Sequence, residues 1–191
     1  MQTTDTVLMI EPIAFGFNEQ TAVNNYFQVQ QEGNVQEKAL EEFHSFVEKL
    51  RAKGINVLTI KDTIDPKTPD SIFPNNWVSF HQDGKVVLYP MFADNRRLER
   101  REDIINQIKE KFDIKEIIDY SKIENENKYL EGTGSMIFDH NNNKIAYGSI
   151  SLRLDEELFR KFCREFGFKP VVFHSYQTAG EERLPIYHTN V

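Results

Sequence analysis

The residues best suited to chemistry in this chain are acids, carboxamides, one imidazole and two guanidiniums at strand ends and in loops. Glu131 precedes two glycines in Leu130-Glu131-Gly132-Thr133-Gly134-Ser135. Glycines there allow another backbone to come close and leave the carboxylate accessible. His188 lies in Tyr187-His188-Thr189-Asn190. Asp70 stands five residues before Asn75-Asn76, directly ahead of the only tryptophan, Trp77. Carboxamides both donate and accept hydrogen bonds, so they suit a neutral polar group. Arg97 and Arg153 each follow a predicted strand near a helix start, and guanidiniums grip carboxylates well. The set as a whole suits a small amino-acid-like ligand. Singly, each residue has an ordinary reading: a glycine turn with a solvent-facing acid, a structural histidine, a solvated arginine.

Spacing is what links them. Asp70 with Asn76, then Glu131, then His188 recur about 57 to 61 residues apart, and Arg97 and Arg153 lie about 56 apart, a period typical of repeat architectures. In a radial stack of repeats, equivalent positions converge on the axis.

The elements that must carry these positions follow the same period. Val7 to Ile10 reads as a short buried strand ended by Glu11-Pro12. Residues 14–34 are polar with interspersed aromatics, which fits either an ordered loop packed on the core or a lid over a site. A helix is expected over about Val35 to Lys53, with Ala39, Leu40, Phe43, Phe46, Val47 and Leu50 on one face and Gly54 as its stop. Ile55 to Ile60 reads as a strand.

A strand at Trp77 to Phe80, an Asp83-Gly84 turn and a return strand at Lys85 to Tyr89 predict a hairpin. One helix is expected from about Asn95 to Phe112, with Leu98, Ile104, Ile105, Ile108 and Phe112 inward, then a strand at Ile114 to Tyr120. The order then repeats. Strands are expected at Ser135 to Phe138 and Lys144 to Gly148, a helix from Asp155 as N-cap to Phe166 with Gly167 as its stop, and a strand at Val171 to Ser175. The units are therefore about 70–120 and 130–175, each built as ββαβ, with 7–60 a less regular version of the same unit and a fourth beginning at 184–191. Four such units leave an open edge, so the 191 residues are expected to form an incomplete part of a larger fold.

Bulk properties set limits on function. The net charge of −7 argues against nucleic acid as main partner, and the N-terminal apolar run is too short for a signal or a membrane span. A single cysteine, Cys163, favours a reducing compartment, hence a cytoplasmic protein. It lies on the apolar face of the Asp155 helix with Leu158, Phe159, Phe162 and Phe166, which predicts a packed, inert thiol. The candidate ligand residues lack the clustering of a zinc site and no phosphate-cradling glycine loop occurs, so neither metal nor cofactor is expected.

The stretches Asp70-Ser71-Ile72-Phe73-Pro74-Asn75-Asn76-Trp77, Leu130-Glu131-Gly132-Thr133-Gly134-Ser135 and Tyr187-His188-Thr189-Asn190-Val191 resemble the guanidine-modifying (pentein) superfamily. Its members include arginine deiminase, amidinotransferases and dimethylarginine dimethylaminohydrolase, and the likeness is greatest to amidinotransferase-related citrulline hydrolases. The resemblance covers essentially the whole chain. It implies an α/β propeller of five ββαβ units around a central site, of which three to four are present. It implies His188 as catalytic base and acid, Glu131 as its acidic partner, and Arg97 and Arg153 as a clamp on the substrate carboxylate. The nucleophile of the superfamily is a cysteine in the last unit, with no counterpart here, so the chain resembles an N-terminal portion of an enzyme of roughly 300 residues. Relatives that grip a guanidinium have acids where this chain has Asn75 and Asn76, and many have one where it has Asn190. Amides suit a neutral ureido group better than a cation. The expectation is hydrolysis of citrulline to ornithine, ammonia and carbon dioxide, with Asp70, Asn75, Asn76 and Asn190 holding the ureido end. The alternatives are an arginine-type amidinotransferase or deiminase, and a non-catalytic binding module with a protein partner.

Overall fold

The computed structural model describes residues 2–31 and 33–191, so Glu32, inside the expected loop 14–34, lies outside the described residues, as does Met1. In chain order the first elements are β1 (Thr6–Glu11), α1 (Glu19–Ala22), α2 (Val35–Ala52), β2 (Asn56–Lys61), β3 (Val78–Phe80), β4 (Lys85–Leu88), α3 (Asp94–Arg97) and α4 (Glu102–Lys111). They are followed by β5 (Glu116–Asp119), α5 (Gly132–Ser135), β6 (Met136–Asp139), β7 (Ile145–Ser149), α6 (Glu156–Phe166), β8 (Lys169–Phe173), β9 (Tyr176–Ala179) and β10 (Glu182–Pro185). Two compact units result. One holds Thr3–Pro74 and Ala93–Ile104; the other holds Asn75–Phe92 and Ile105–Val191 with Gln2.

In the first unit β1 and β2 pair in parallel, Val7 opposite Val57 and Ile10 opposite Ile60. Helix α2 covers them, and Phe43, Val47 and Val57 form the core with Val7, Met9, Leu50 and Ile55 packed around it. Asn34 caps α2 by accepting from the Glu37 N–H. Phe46, expected inward, is 53% exposed. It lies at the margin of the apolar stripe, which Phe43, Val47 and Leu50 fill.

The second unit contains two three-stranded sheets of one plan. Sheet β3–β4–β5 pairs its first two strands antiparallel and its last two parallel, and β6–β7–β8 does the same. Gly84, with φ of 83°, closes the β3–β4 turn, as the Asp-Gly signal predicts. In α6, Asp155 accepts from the Leu158 N–H and Gly167 ends the helix at φ 71°. Leu158, Phe159, Phe162 and Cys163 of α6 share one core with Val87 of the first sheet and Met136 and Ala146 of the second. Cys163 is fully buried, and burial pushes its thiol up to about 11.

Three further expectations fail. The helix expected over residues 95–112 is split into α3 and α4, and Leu98 is 50% exposed rather than inward. Arg96 turns into the interior instead, where it bonds the Glu99 carboxylate at 2.8 and 2.9 Å and the carbonyls of Asp70 and Phe73. A charge buried among partners fixes the chain in a way apolar periodicity does not register. Residues 132–135 form the short helix α5 ahead of β6, where a strand was expected from Ser135. Finally, an antiparallel hairpin, β9–β10, spans Tyr176 to Pro185, where no hairpin was expected ahead of the unit beginning at residue 184.

Candidate active site

In the second unit, the segments around Glu131 and His188 come together at α5. Glu131 is its N-cap, and the chain turns sharply at Gly132, whose φ of +44° few side chains tolerate. The Glu131 N–H donates to the Arg153 carbonyl at 3.2 Å, and the Ser135 hydroxyl donates to the same carbonyl at 2.8 Å. The His188 segment is fastened to α5 from the other side. The N–H groups of Thr189 and Asn190 both donate to the Gly134 carbonyl, at 3.0 and 3.2 Å.

These anchors set the geometry of the Glu131–His188 pair. His188 Nε2 is 2.7 Å from Glu131 Oε2, and Glu131 is fully buried. Glu131 Oε1 accepts the Phe92 N–H at 3.0 Å. Arg153 is 2% exposed, and its guanidinium is 3.5 Å from Glu131 Oε2 and lies over the Tyr187 ring at 4.5 Å. A carboxylate only accepts, so the proton between the pair belongs to His188 Nε2. The other ring nitrogen, Nδ1, lies on the side of Gly134.

Gly134 decides what stands beside that nitrogen. A methyl group built on it would meet Asn76 Nδ2 at 2.2 Å, His188 Cε1 at 2.8 Å and His188 Nδ1 at 2.9 Å. Asn76 and His188 therefore converge on one point that only glycine leaves open. At Gly132 the same test meets the Asn75 carbonyl oxygen at 2.2 Å. The two glycines flanking Thr133 are thus required by close approach of residues 75, 76 and 188. Asn75 is half-buried, and its carbonyl lies 3.4 Å from the Thr133 hydroxyl. Asn190 is exposed.

Asp70 and Arg97 belong to the first unit. Asp70 Oδ2 accepts from Asn18 Nδ2 at 2.8 Å and from the Thr21 hydroxyl at 3.0 Å. Arg97, 26% exposed, pairs with Asp94 at 2.7 Å. Of the eight residues singled out, the second unit gathers Glu131, His188, Arg153 and Asn76 into contact, with Asn75 adjacent. Arg153 faces an internal carboxylate, Glu131. Sequence reasoning read the glycines as admitting a backbone, as Gly132 does, but missed the side chains of Asn76 and His188 against Gly134, the Phe92 N–H, and the hydroxyls of Ser135 and Thr189. Only the glycines left a signal, in the Glu-Gly-Thr-Gly-Ser run. Among the described residues no group of three or more His, Cys, Asp or Glu side chains is arranged to hold a metal ion, and no helix is long and apolar enough to cross a membrane.

Comparison with known proteins adds a family. Residues 11–191 match the family described as N,N dimethylarginine dimethylhydrolase, eukaryotic. Among curated proteins, none matches the chain. Among solved structures, the N-terminal domain of ArgZ, an arginine dihydrolase from the ornithine–ammonia cycle in cyanobacteria, was captured bound to substrate. It superposes with a TM-score of 0.69 at 16% identity, over 93% of this chain and 60% of that one. Dimethylarginine dimethylaminohydrolase from Pseudomonas aeruginosa, complexed with citrulline, gives a TM-score of 0.60 at 16% identity, over 92% of this chain and 63% of that one. The chain thus spans less than two thirds of the length of these structures.

Proposed function

The chain belongs to the N,N dimethylarginine dimethylhydrolase family and has the α/β fold of the pentein propellers, and from that premise we propose that it supplies the acid–base machinery of a hydrolase acting on the ureido carbon of citrulline. The observation that carries this reading is the buried Glu131–His188 pair at 2.7 Å with the Asn76 carboxamide packed against the same glycine. The reaction needs a thiolate. Cys163 is buried in the core with its thiol pushed up to about 11, so the nucleophile is a cysteine outside these residues.

In this mechanism the thiolate attacks the ureido carbon and the terminal nitrogen leaves as ammonia, taking its proton from His188. His188 Nδ1 then removes a proton from water, which attacks the carbon and releases the enzyme sulfur. The resulting carbamate breaks down to ornithine and carbon dioxide. Glu131 holds the imidazole by Nε2 and stabilises it when it is charged. Arg153 balances the buried Glu131 carboxylate. Asn76 offers amide N–H donors to the ureido oxygen, with Asn75 and Asn190 as further amides. The units at about 7–60, 70–120 and 130–175 are repeats of one propeller.

A carbonyl oxygen needs a donor, whereas a guanidinium needs acceptors, so an amide in place of an acid favours citrulline over arginine. The test is turnover of citrulline, arginine and dimethylarginine by the enzyme carrying its cysteine. Citrulline is expected to have the highest kcat/KM, and Asn76→Asp to lower it at least tenfold. Faster turnover of arginine than of citrulline would overturn the substrate assignment.

A further inference from the structure

We infer that Thr189 is a positioning residue for the His188 imidazole, a role that rests on the acid–base reading of His188. Its hydroxyl makes two bonds at once. It donates to the Ser135 carbonyl at 2.5 Å and accepts the Ser149 N–H at 2.8 Å. Ser135 is the last residue of α5, the helix that Glu131 caps, and Ser149 is the last residue of β7. One side-chain oxygen therefore ties the His188 segment to both the Glu131 helix and the sheet edge.

The bond at Ser149 extends further. Ser149 Oγ lies 2.6 Å from Ser175 Oγ and accepts the Ser175 N–H, and the Ser175 carbonyl takes the Ile186 N–H at 2.9 Å. Residues 186 and 189, on either side of the imidazole, are thus fixed to the same strand end. The Ser151 hydroxyl adds a bond to the Tyr187 carbonyl at 2.6 Å.

His188 belongs to no regular element, lying past β10 directly before the turn at Thr189 and Asn190. A turn places a side chain loosely unless other groups hold it, and a misplacement of about 1 Å at a reacting group costs on the order of a hundredfold in rate. The backbone bonds to the Gly134 carbonyl fix the height of the segment. The hydroxyl fixes its rotation, because its acceptor and donor lie on two different elements. Valine has the same shape and can make neither bond. Serine can make both.

The test compares Thr189→Val and Thr189→Ser. By NMR on this chain, a hydrogen-bonded His188 Nε2–H resonance is expected in the wild type and in T189S, and its loss to exchange in T189V. In the enzyme carrying its cysteine, kcat for citrulline is expected to fall at least tenfold in T189V with KM changed less than threefold, and to recover in T189S. A folded T189V that keeps the resonance and a kcat within twofold of wild type overturns the inference. Should T189V not fold, T189S decides: retained resonance and rate support the hydroxyl as the working group, and a tenfold loss refutes it. If the wild-type enzyme turns over neither citrulline nor arginine, the functional reading falls, while the NMR comparison still decides the role of Thr189.

Discussion

Gly134→Ala offers the sharpest test of the site because its consequences are set by distances. The new methyl would lie 2.2 Å from Asn76 Nδ2 and 2.8 Å from His188 Cε1, closer than the 3.0 Å that such contacts respect. Asn76 must retreat by about 0.8 Å or more, and the imidazole by a few tenths of an ångström. Both obstacles are side chains, and Gly134 has no positive φ, so the fold survives at an overpacking cost of about 1–3 kcal/mol. The functional cost is larger. Moving the imidazole strains a 2.7 Å bond to Glu131 and shifts Nδ1, so kcat/KM for citrulline falls on the order of a hundredfold. Gly132→Ala is the contrast. There the methyl meets the Asn75 backbone carbonyl at 2.2 Å with φ at +44°, so backbone opposes backbone and folding itself fails. Steady-state kinetics and urea unfolding measure both effects. A Gly134→Ala enzyme with unchanged stability and kcat/KM within threefold of wild type would refute the convergence of Asn76 and His188 on Gly134.

Other outcomes follow from the same contacts. Glu131→Gln keeps the shape but leaves the imidazolium without its carboxylate and removes the charge that Arg153 faces at 3.5 Å, so kcat is expected to drop about 10²- to 10³-fold, read from single-turnover rates. Burial beside Phe162 and Phe166 drives His81 down to about 4 from its ordinary 6.5. Between those values the unfolded chain binds the extra proton, so stability is full above pH 6.5 and declines by about 3 kcal/mol as pH falls to 4; urea titrations should show His81→Gln flattening that slope. Cys163 should resist thiol reagents at pH 8 until the protein is unfolded, and Cys163→Ala should leave citrulline turnover by the enzyme unchanged; rapid labelling of native protein would contradict its burial.

What the sequence shows of this fold is what local pattern can encode. Helix α6 was legible end to end, because Asp155, the apolar face and Gly167 all speak for the same element. The β3–β4 hairpin was legible from Asp83-Gly84. The break between α3 and α4 was not, because it depends on Arg96 finding Glu99 and two distant carbonyls inside the protein. The β9–β10 hairpin was missed because Tyr176 to Pro185 has too little apolar alternation to mark strands, even though Gly180, at φ 65°, marks its turn. At the site, Glu131 and His188 could be paired from their spacing and their motifs. The bonds of Asn18 and Thr21 to Asp70 cross about fifty residues of sequence and leave no local mark.

Glu131 shows how the structure redirects a role that composition alone suggests. An acid beside two glycines reads as an exposed group offered to a ligand. Here it is fully buried, with Oε1 taken by the Phe92 N–H and Oε2 shared by His188 and Arg153. Burying a carboxylate costs several kcal/mol unless partners offset it, and these three donors are that offset. The carboxylate therefore works on the imidazole. Its hold is on Nε2, and the glycine beside Nδ1 is where Asn76 arrives. In the proposed mechanism, the amide assigned to the ureido group and the nitrogen assigned to proton transfer meet at one glycine. Substrate preference and acid–base chemistry should for that reason be lost together when Gly134 is filled, whereas Asn76→Asp should change preference while leaving the Glu131–His188 bond in place.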